Sequence, residues 1–294
     1  MQAEYHAPLS ILELSGDDAE TFLQNQLTQE VRGIEADQWV FSGHCDAKGK
    51  LWALLRVWRT DAAFYLLTSP EAAQASLTQM QKFSVFSKVD VKDLTANARI
   101  HFSPSTALAL GRVESGEHAS GPKFRLGLGN ASLEVSLGHT DSTQPEEFDE
   151  TPWLRHEIEH GIAQLTAATI GEYVPQMLGV DHLGGINFKK GCYIGQETVA
   201  RMHYLGQNKR ALRLVVGDSV QVPAPGDTLE QKIGDNWRRA GAVINAVRYD
   251  TNEVAILAVV PADLDEGVAI RIKGDEQSQL TLRPKFDNQE IFNE

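Results

Sequence analysis

From about Asn208 onward the chain loses helical periodicity and becomes a series of short apolar runs broken by turns. Ala211 to Val216, Ala240 to Val247 and Val254 to Val260 read as strands, and turn sequences such as Pro223-Ala224-Pro225-Gly226-Asp227 separate them. Short strands with regular turn signals suit a small closed or nearly closed barrel, where closure removes exposed edges. Residues 208–294 are expected to form such a barrel.

Upstream the pattern is mixed, which makes the fold class α+β. Ser15-Gly16-Asp17-Asp18 reads as a helix start, with Ser15 as cap and the aspartates at the positive end of the dipole. Ala19, Phe22, Leu23 and Leu27 then share one face. Trp39 to Phe41, Leu51 to Trp58 and Phe64 to Leu67 read as strands, with residues 43–50 as a hairpin connection. Pro70 opens a helix through Met80, and Val85 to Val91 returns to strand. Ala107 to Leu110 and Leu133 to Leu137 are further β-like pieces. Asp141 to Glu150, rich in carboxylates with Ser142, Thr143 and Pro145, is the best linker, and an amphipathic helix from Trp153 to Ile162 follows it. The expected units are an N-terminal α+β region (1–140), a second α+β segment packing with it (141–207) and the barrel (208–294).

Nothing in the sequence approaches an 18-residue apolar span, and the N-terminus lacks the basic and apolar regions of a secretory signal. No membrane association and a cytoplasmic location are expected. Cys45 and Cys192 belong to no ligand-spaced cluster, so no metal site is expected. A net charge of −13 opposes wholesale nucleic-acid binding, yet Lys189, Lys190, Arg201, Lys209, Arg210 and Arg213 face only Glu197 in their stretch. Such a local basic stretch suits a small anion or one patch of RNA, or is a solvated rim.

The run from Phe188 to Glu197 carries the clearest chemical signal. Gly191 and Gly195 bracket Cys192, with Lys189 and Lys190 before it and Gln196 and Glu197 after it. Glycines permit a tightly bent backbone, and neighbouring cations favour a thiolate. A helix opening at Gly195-Gln196-Glu197 would favour it further. The alternative is a small buried thiol, and no histidine stands nearby in sequence to make a cysteine hydrolase. In His44-Cys45-Asp46 a turn held by the Asp46 side chain is favoured over a metal site, because three adjacent residues rarely converge on one ion. Trp153 is either an anchor for its helix or a face for stacking a heteroaromatic ring.

Lys190-Gly191-Cys192-Tyr193-Ile194-Gly195-Gln196-Glu197 resembles the K-G-C-Y-x-G-Q-E signature of YgfZ-type folate-binding proteins. These share a superfamily with the aminomethyltransferase (T protein) of the glycine cleavage system. The resemblance extends through residues 14–28, 44–50, 85–89, 175–176, 184–188 and 208–212, and points to the bacterial tRNA-modifying subgroup. It implies a three-domain, ring-like aminomethyltransferase-type fold with tetrahydrofolate or a derivative in its central region, and residues 1–140 as a folate-binding region. It also implies an accessory role in assembly or repair of iron–sulfur enzymes, including those that methylthiolate tRNA. Cys192 would be the functional thiol within a motif of Lys190, Gly191, Tyr193, Gly195, Gln196, Glu197 and Arg201. Trp153 resembles one of two tryptophans linked to folate binding; the second would fall near Leu9, where this chain has none.

In aminomethyltransferases an aspartate pair follows a glycine turn and lies near the reacting folate nitrogen. The similar turn here is Gly49-Lys50-Leu51-Trp52, and Ala53 and Leu54 follow it. Neither can relay a proton, a contribution often of about 10²–10⁴-fold, so conventional aminomethyl transfer is expected to be absent. The alternatives are a folate-dependent one-carbon transferase or demethylase using another carboxylate, and a tRNA-binding protein working through Lys189 to Arg213.

Overall fold

A computed structural model describes residues 5–104, 108–138, 149–206, 208–249 and 252–286, apart from the His118 side chain. In chain order its elements begin with β1 (Tyr5–His6), β2 (Ser10–Ser15), α1 (Ala19–Gln26), β3 (Trp39–Cys45), β4 (Leu51–Arg59), β5 (Ala63–Thr68) and α2 (Pro70–Phe83). There follow β6 (Asp90–Asp93), β7 (Ala98–Ser103), β8 (Val113–His118), β9 (Gly121–Gly127), β10 (Ser132–Leu137), α3 (Thr151–Glu159) and α4 (Gln196–Leu205). The last strands are β11 (Arg210–Asp218), β12 (Thr228–Ile233), β13 (Asn236–Arg248), β14 (Glu253–Pro261), β15 (Ile270–Ile272) and β16 (Gln279–Leu282).

Among the described residues the strands form two antiparallel five-stranded sheets, ordered β3-β4-β5-β2-β6 and β1-β7-β10-β9-β8, and a closed barrel ordered β11-β14-β13-β12-β15-β16. The α+β class and the C-terminal barrel expected from the sequence are therefore present. No helix among the described residues is long and apolar enough to cross a membrane.

Strand alternation explains how the barrel docks. Val254, Ile256, Ala258 and Val260 of β14 belong to the barrel's own core, whereas Ala255, Leu257 and Val259 belong to the main core shared with the two sheets. Successive side chains point to opposite faces, so one strand serves two cores and reads as a continuous apolar run. The two sheets join through aromatic contacts: Phe124 of β9 lies edge-on to Trp58 of β4, with centroids 5.5 Å apart, and also touches Tyr65 of β5. On the other face of β4's sheet, buried His44 bonds Ser76 of α2 at 2.7 Å.

Some expected elements change. Ser15 ends β2 rather than capping a helix, and α1 starts at Ala19. Asp18 accepts the Lys88 amide at 2.8 Å and Asp17 pairs with the Lys88 ammonium at 3.2 Å. The aspartates tether a distant segment instead of capping. Only Asp90–Asp93 of the expected 85–91 strand forms, and Val85 and Phe86 lie exposed in a loop. Residues 108–110 lie outside any strand, and Ala107 falls outside the described residues. So do 141–148, most of the expected linker.

Candidate functional site

The motif loop is pinned at two points. The Lys190 ammonium donates to three backbone carbonyls, of Gln24 (2.8 Å), Leu27 (2.7 Å) and Gln29 (2.7 Å), at the end of α1 and just beyond it. Carbonyls left open at a helix C-terminus carry partial negative charge, so one lysine answers several of them. Burial pushes Lys190 down to about 8, with Glu30 opposing and Arg32 adding to the shift. The second pin is Gly195, whose φ of +84° suits glycine and whose missing Cβ would fall 2.5 Å from the Asp46 carbonyl oxygen. Gly49, at φ +76°, answers it, since a Cβ there would meet Thr198 of α4 at 2.8 Å. The motif loop and the 46–49 turn thus meet glycine to glycine.

That turn has the favoured geometry. Asp46 Oδ1 accepts the amides of Lys48 and Lys50, both at 2.8 Å, an Asx-type turn. His44 and Cys45 belong to β3 and are buried. Burial holds His44 down to about 4 and raises both the Cys45 thiol and its neighbour Tyr193. Among the described residues, no group of three His, Cys, Asp or Glu is placed to hold a metal ion.

Other stretches of the signature converge on the same place. The Thr28 hydroxyl donates to the Gly185 carbonyl at 2.6 Å and accepts the Gly43 amide at 2.7 Å. The Asn187 amide reaches Thr28 O at 3.0 Å, and the Ile194 amide reaches Asn25 O at 3.1 Å. Gln176 donates to the Val199 carbonyl of α4 at 2.6 Å. Residues 24–28, 43–49, 176 and 184–199 therefore form one interlocked block. From it Gly191, Cys192, Glu197 and Arg201 stand exposed, and Gln196 is half-buried. All three ammonium hydrogens of Lys190 are engaged by backbone carbonyls, so the motif's own lysine has none free for the thiol.

Trp153 lies elsewhere, in a closed aromatic box. It is fully buried, with the Arg56 guanidinium 5.2 Å over its ring and Phe102 edge-on at 5.5 Å. Arg56 also lies over Phe41 (5.0 Å) and Trp39 (5.7 Å) and pairs with buried Glu157 of α3. Burial raises Glu157, with Arg56 and the Gln164 amide opposing. Gln164 hands the network onward: its backbone N–H donates to Asn245 Oδ1 at 2.8 Å, and Asn245 Nδ2 donates to its backbone carbonyl at 2.9 Å. Arg56 Nε and Trp153 Nε1 are buried without hydrogen-bond partners. Leu9 is buried in the main core, its amide on Ala7 O at 2.8 Å. Ala53 and Leu54 are buried and carry no ionisable group. The sequence reading passed over Arg56, Glu157, Gln164 and Asn245, although an arginine inside Leu51-Trp52-Ala53-Leu54-Leu55-Arg56-Val57-Trp58 is a charge in an otherwise apolar strand.

A family model described as "YgfZ, beta-barrel domain" matches residues 208–275, within the barrel region. The tRNA-modifying protein YgfZ of Aliivibrio fischeri (strain ATCC 700601 / ES114) is 34% identical over 275 residues, covering 90% of this chain and 86% of that protein. Its counterpart in Klebsiella pneumoniae (strain 342) is 35% identical over 292 residues, covering 92% and 88%. Among solved structures, glycine cleavage system aminomethyltransferase T from Bartonella henselae superposes with a TM-score of 0.72 at 14% identity, covering 96% of this chain and 84% of that one. That likeness is one of fold.

Proposed function

The chain belongs to the YgfZ family, and from that premise we propose that it is a cytoplasmic folate-binding accessory protein for the assembly or repair of iron–sulfur enzymes, acting in tRNA modification. Its relatives are named as tRNA-modifying proteins. The observation that carries the reading is the motif loop itself. Lys190 and Gly195 pin its ends while Cys192 stands exposed between them. A thiol displayed on a rigid loop can reach another macromolecule, and preorganisation of this kind is how a scaffold presents a functional group. Ala53 and Leu54, buried after the Gly49 turn, supply no acid or base, which favours an accessory role over aminomethyl transfer.

The aromatic box suits part of a reduced folate. A pteridine ring would stack on its walls by displacing the Arg56 guanidinium that now lies between them, and Arg56 Nε and Trp153 Nε1, buried donors without acceptors, are the groups a ring carbonyl would satisfy. The box is closed, so entry of a ligand requires α3 to yield. Bound folate would supply one-carbon or redox chemistry; the residues of the box would hold and desolvate the ring. Client enzymes, such as a tRNA methylthiotransferase, would meet the Cys192 face.

Two measurements test the reading. Titration of the purified protein with tetrahydrofolate, its 5-formyl and methylene forms should quench tryptophan fluorescence, and Trp153→Phe should weaken binding. In a strain lacking its own family member, wild-type protein should restore methylthiolated tRNA and Cys192→Ala should not. Full restoration by Cys192→Ala would remove the thiol's role. Production of formaldehyde or methylene-tetrahydrofolate by the purified protein would instead favour a one-carbon transferase.

A further inference from the structure

At the far end of α4 from the thiol lies a surface that the folate reading leaves unused. Tyr204 is 69% exposed and Leu205 57% exposed, adjacent members of the eight large apolar side chains exposed among the described residues. Beside Tyr204, the exposed His203 imidazole lies flat on Phe188, with centroids 3.7 Å apart and planes at 16°, and Tyr204 meets His203 edge-on at 5.0 Å. The rings are thus held in an ordered group at the surface. Cations frame it. Lys189 follows Phe188, Arg201 lies one helical turn from Tyr204 and Leu205, and Lys209 and Arg210 stand where the chain leaves α4 for the barrel. Among the described residues none of these four cations lies within 4 Å of a carboxylate. In a protein of net charge −13, these four exposed cations flank the aromatic group, against the nearby carboxylate Asp181, which faces His203 and His182.

We propose that the C-terminal end of α4, with Tyr204 and His203 as stacking faces and Lys189, Arg201, Lys209 and Arg210 as phosphate contacts, binds a single-stranded segment of RNA. Stacking faces flanked by cations are the elements of single-strand recognition, in which bases lie on rings and the backbone follows the charge. A duplex keeps its bases stacked inside and has no use for the exposed rings. An acidic peptide would satisfy the cations and leave the rings without a flat partner. The ten-residue helix is about 15 Å long, so a strand held here lies within reach of a client docked at Cys192.

The test is fluorescence anisotropy with the full chain and a labelled single-stranded RNA 12-mer, a duplex of the same sequence and a poly-glutamate peptide. The 12-mer should bind best, and its affinity should fall with salt at a log–log slope of about three for four phosphate contacts. Tyr204→Ala should weaken it about tenfold at constant salt slope. Combined Lys209→Ala and Arg210→Ala should reduce the slope by one to two, and Lys273→Ala, an exposed cation beside β15, should change nothing. Each altered side chain is exposed, so unchanged melting confirms that folding is intact. The proposal is overturned if the 12-mer fails to bind in 50 mM salt, if the duplex binds equally well, or if Tyr204→Ala is without effect. Tighter binding of the acidic peptide through the same residues would overturn it in favour of a protein partner. None of these outcomes depends on whether folate binds.

Discussion

Glycines in the motif are not equivalent, and the difference separates folding from function. Gly195 sits at φ +84° with the Asp46 carbonyl where its Cβ would be, whereas Gly191 has nothing within 4 Å of the same position and no positive φ. Gly195→Ala is expected to cost about 2 kcal/mol or more, from the left-handed backbone and the clash. Gly191→Ala should stay within about 0.5 kcal/mol. Urea unfolding of the two variants checks the contrast, and equal losses would mean that the glycine-to-glycine contact is not what pins the loop. Lys190→Met should lose about 3 kcal/mol, since three buried carbonyls lose their donor. The sequence marked both glycines and the thiol as one unit from their neighbours. It did not distinguish the strained glycine from the free one, because φ depends on Asp46 and Gly49, some 150 residues away. Nor did it reveal that Lys190 points into a helix end, since a lysine next to a cysteine reads naturally as its electrostatic partner.

At the scale of elements, the contact between β3 and α2 carries a pH dependence. His44 is buried against Ser76 and titrates at about 4 when folded, against 6.5 when unfolded. Between those values the unfolded chain binds a proton that the folded one excludes, so stability present above pH 6.5 falls as pH drops toward 4. At pH 5 the loss from this histidine is about 2 kcal/mol. His156 of α3, held well below its usual range by burial and by the nearby His160 and Arg56, acts in the same direction. Unfolding midpoints at pH 7 and pH 5 should differ accordingly, and His44→Gln should narrow the gap; an unchanged gap would place the acid sensitivity elsewhere. Apolar periodicity revealed most of these elements, including α2 from Pro70 and the long runs of β4 and β14. It failed where polar side chains make long-range bonds. Asp17 and Asp18 resemble a helix start but tether Lys88, and alternation at 85–91 overstated a strand that has a pairing partner only at 90–93.

At the scale of the molecule, one polar relay links β4's sheet, α3 and the barrel. Arg56 of β4 pairs with Glu157 of α3, the Gln164 side chain donates to Glu157, and the Gln164 backbone makes two hydrogen bonds with the Asn245 side chain of the barrel strand β13. A buried ion pair contributes little net stability over an apolar replacement, but breaking it by removing one partner costs about 3–5 kcal/mol. Arg56→Met should therefore destabilise strongly, while Arg56→Met with Glu157→Leu should recover much of the loss. Asn245→Ala removes both bonds to the Gln164 backbone and should cost about 2 kcal/mol, with faster amide exchange in β13 and around Gln164. If the relay couples the barrel to the sheets, Arg56→Met and Asn245→Ala will not add: each shifts the same Glu157–Gln164 segment, and a coupling energy of about 1 kcal/mol is expected. Simple additivity would mean that the barrel docks through its apolar face alone, on Ala255, Leu257 and Val259. The outcome bears on the box around Trp153, because any ligand that displaces Arg56 from Glu157 would then be felt at the barrel seam.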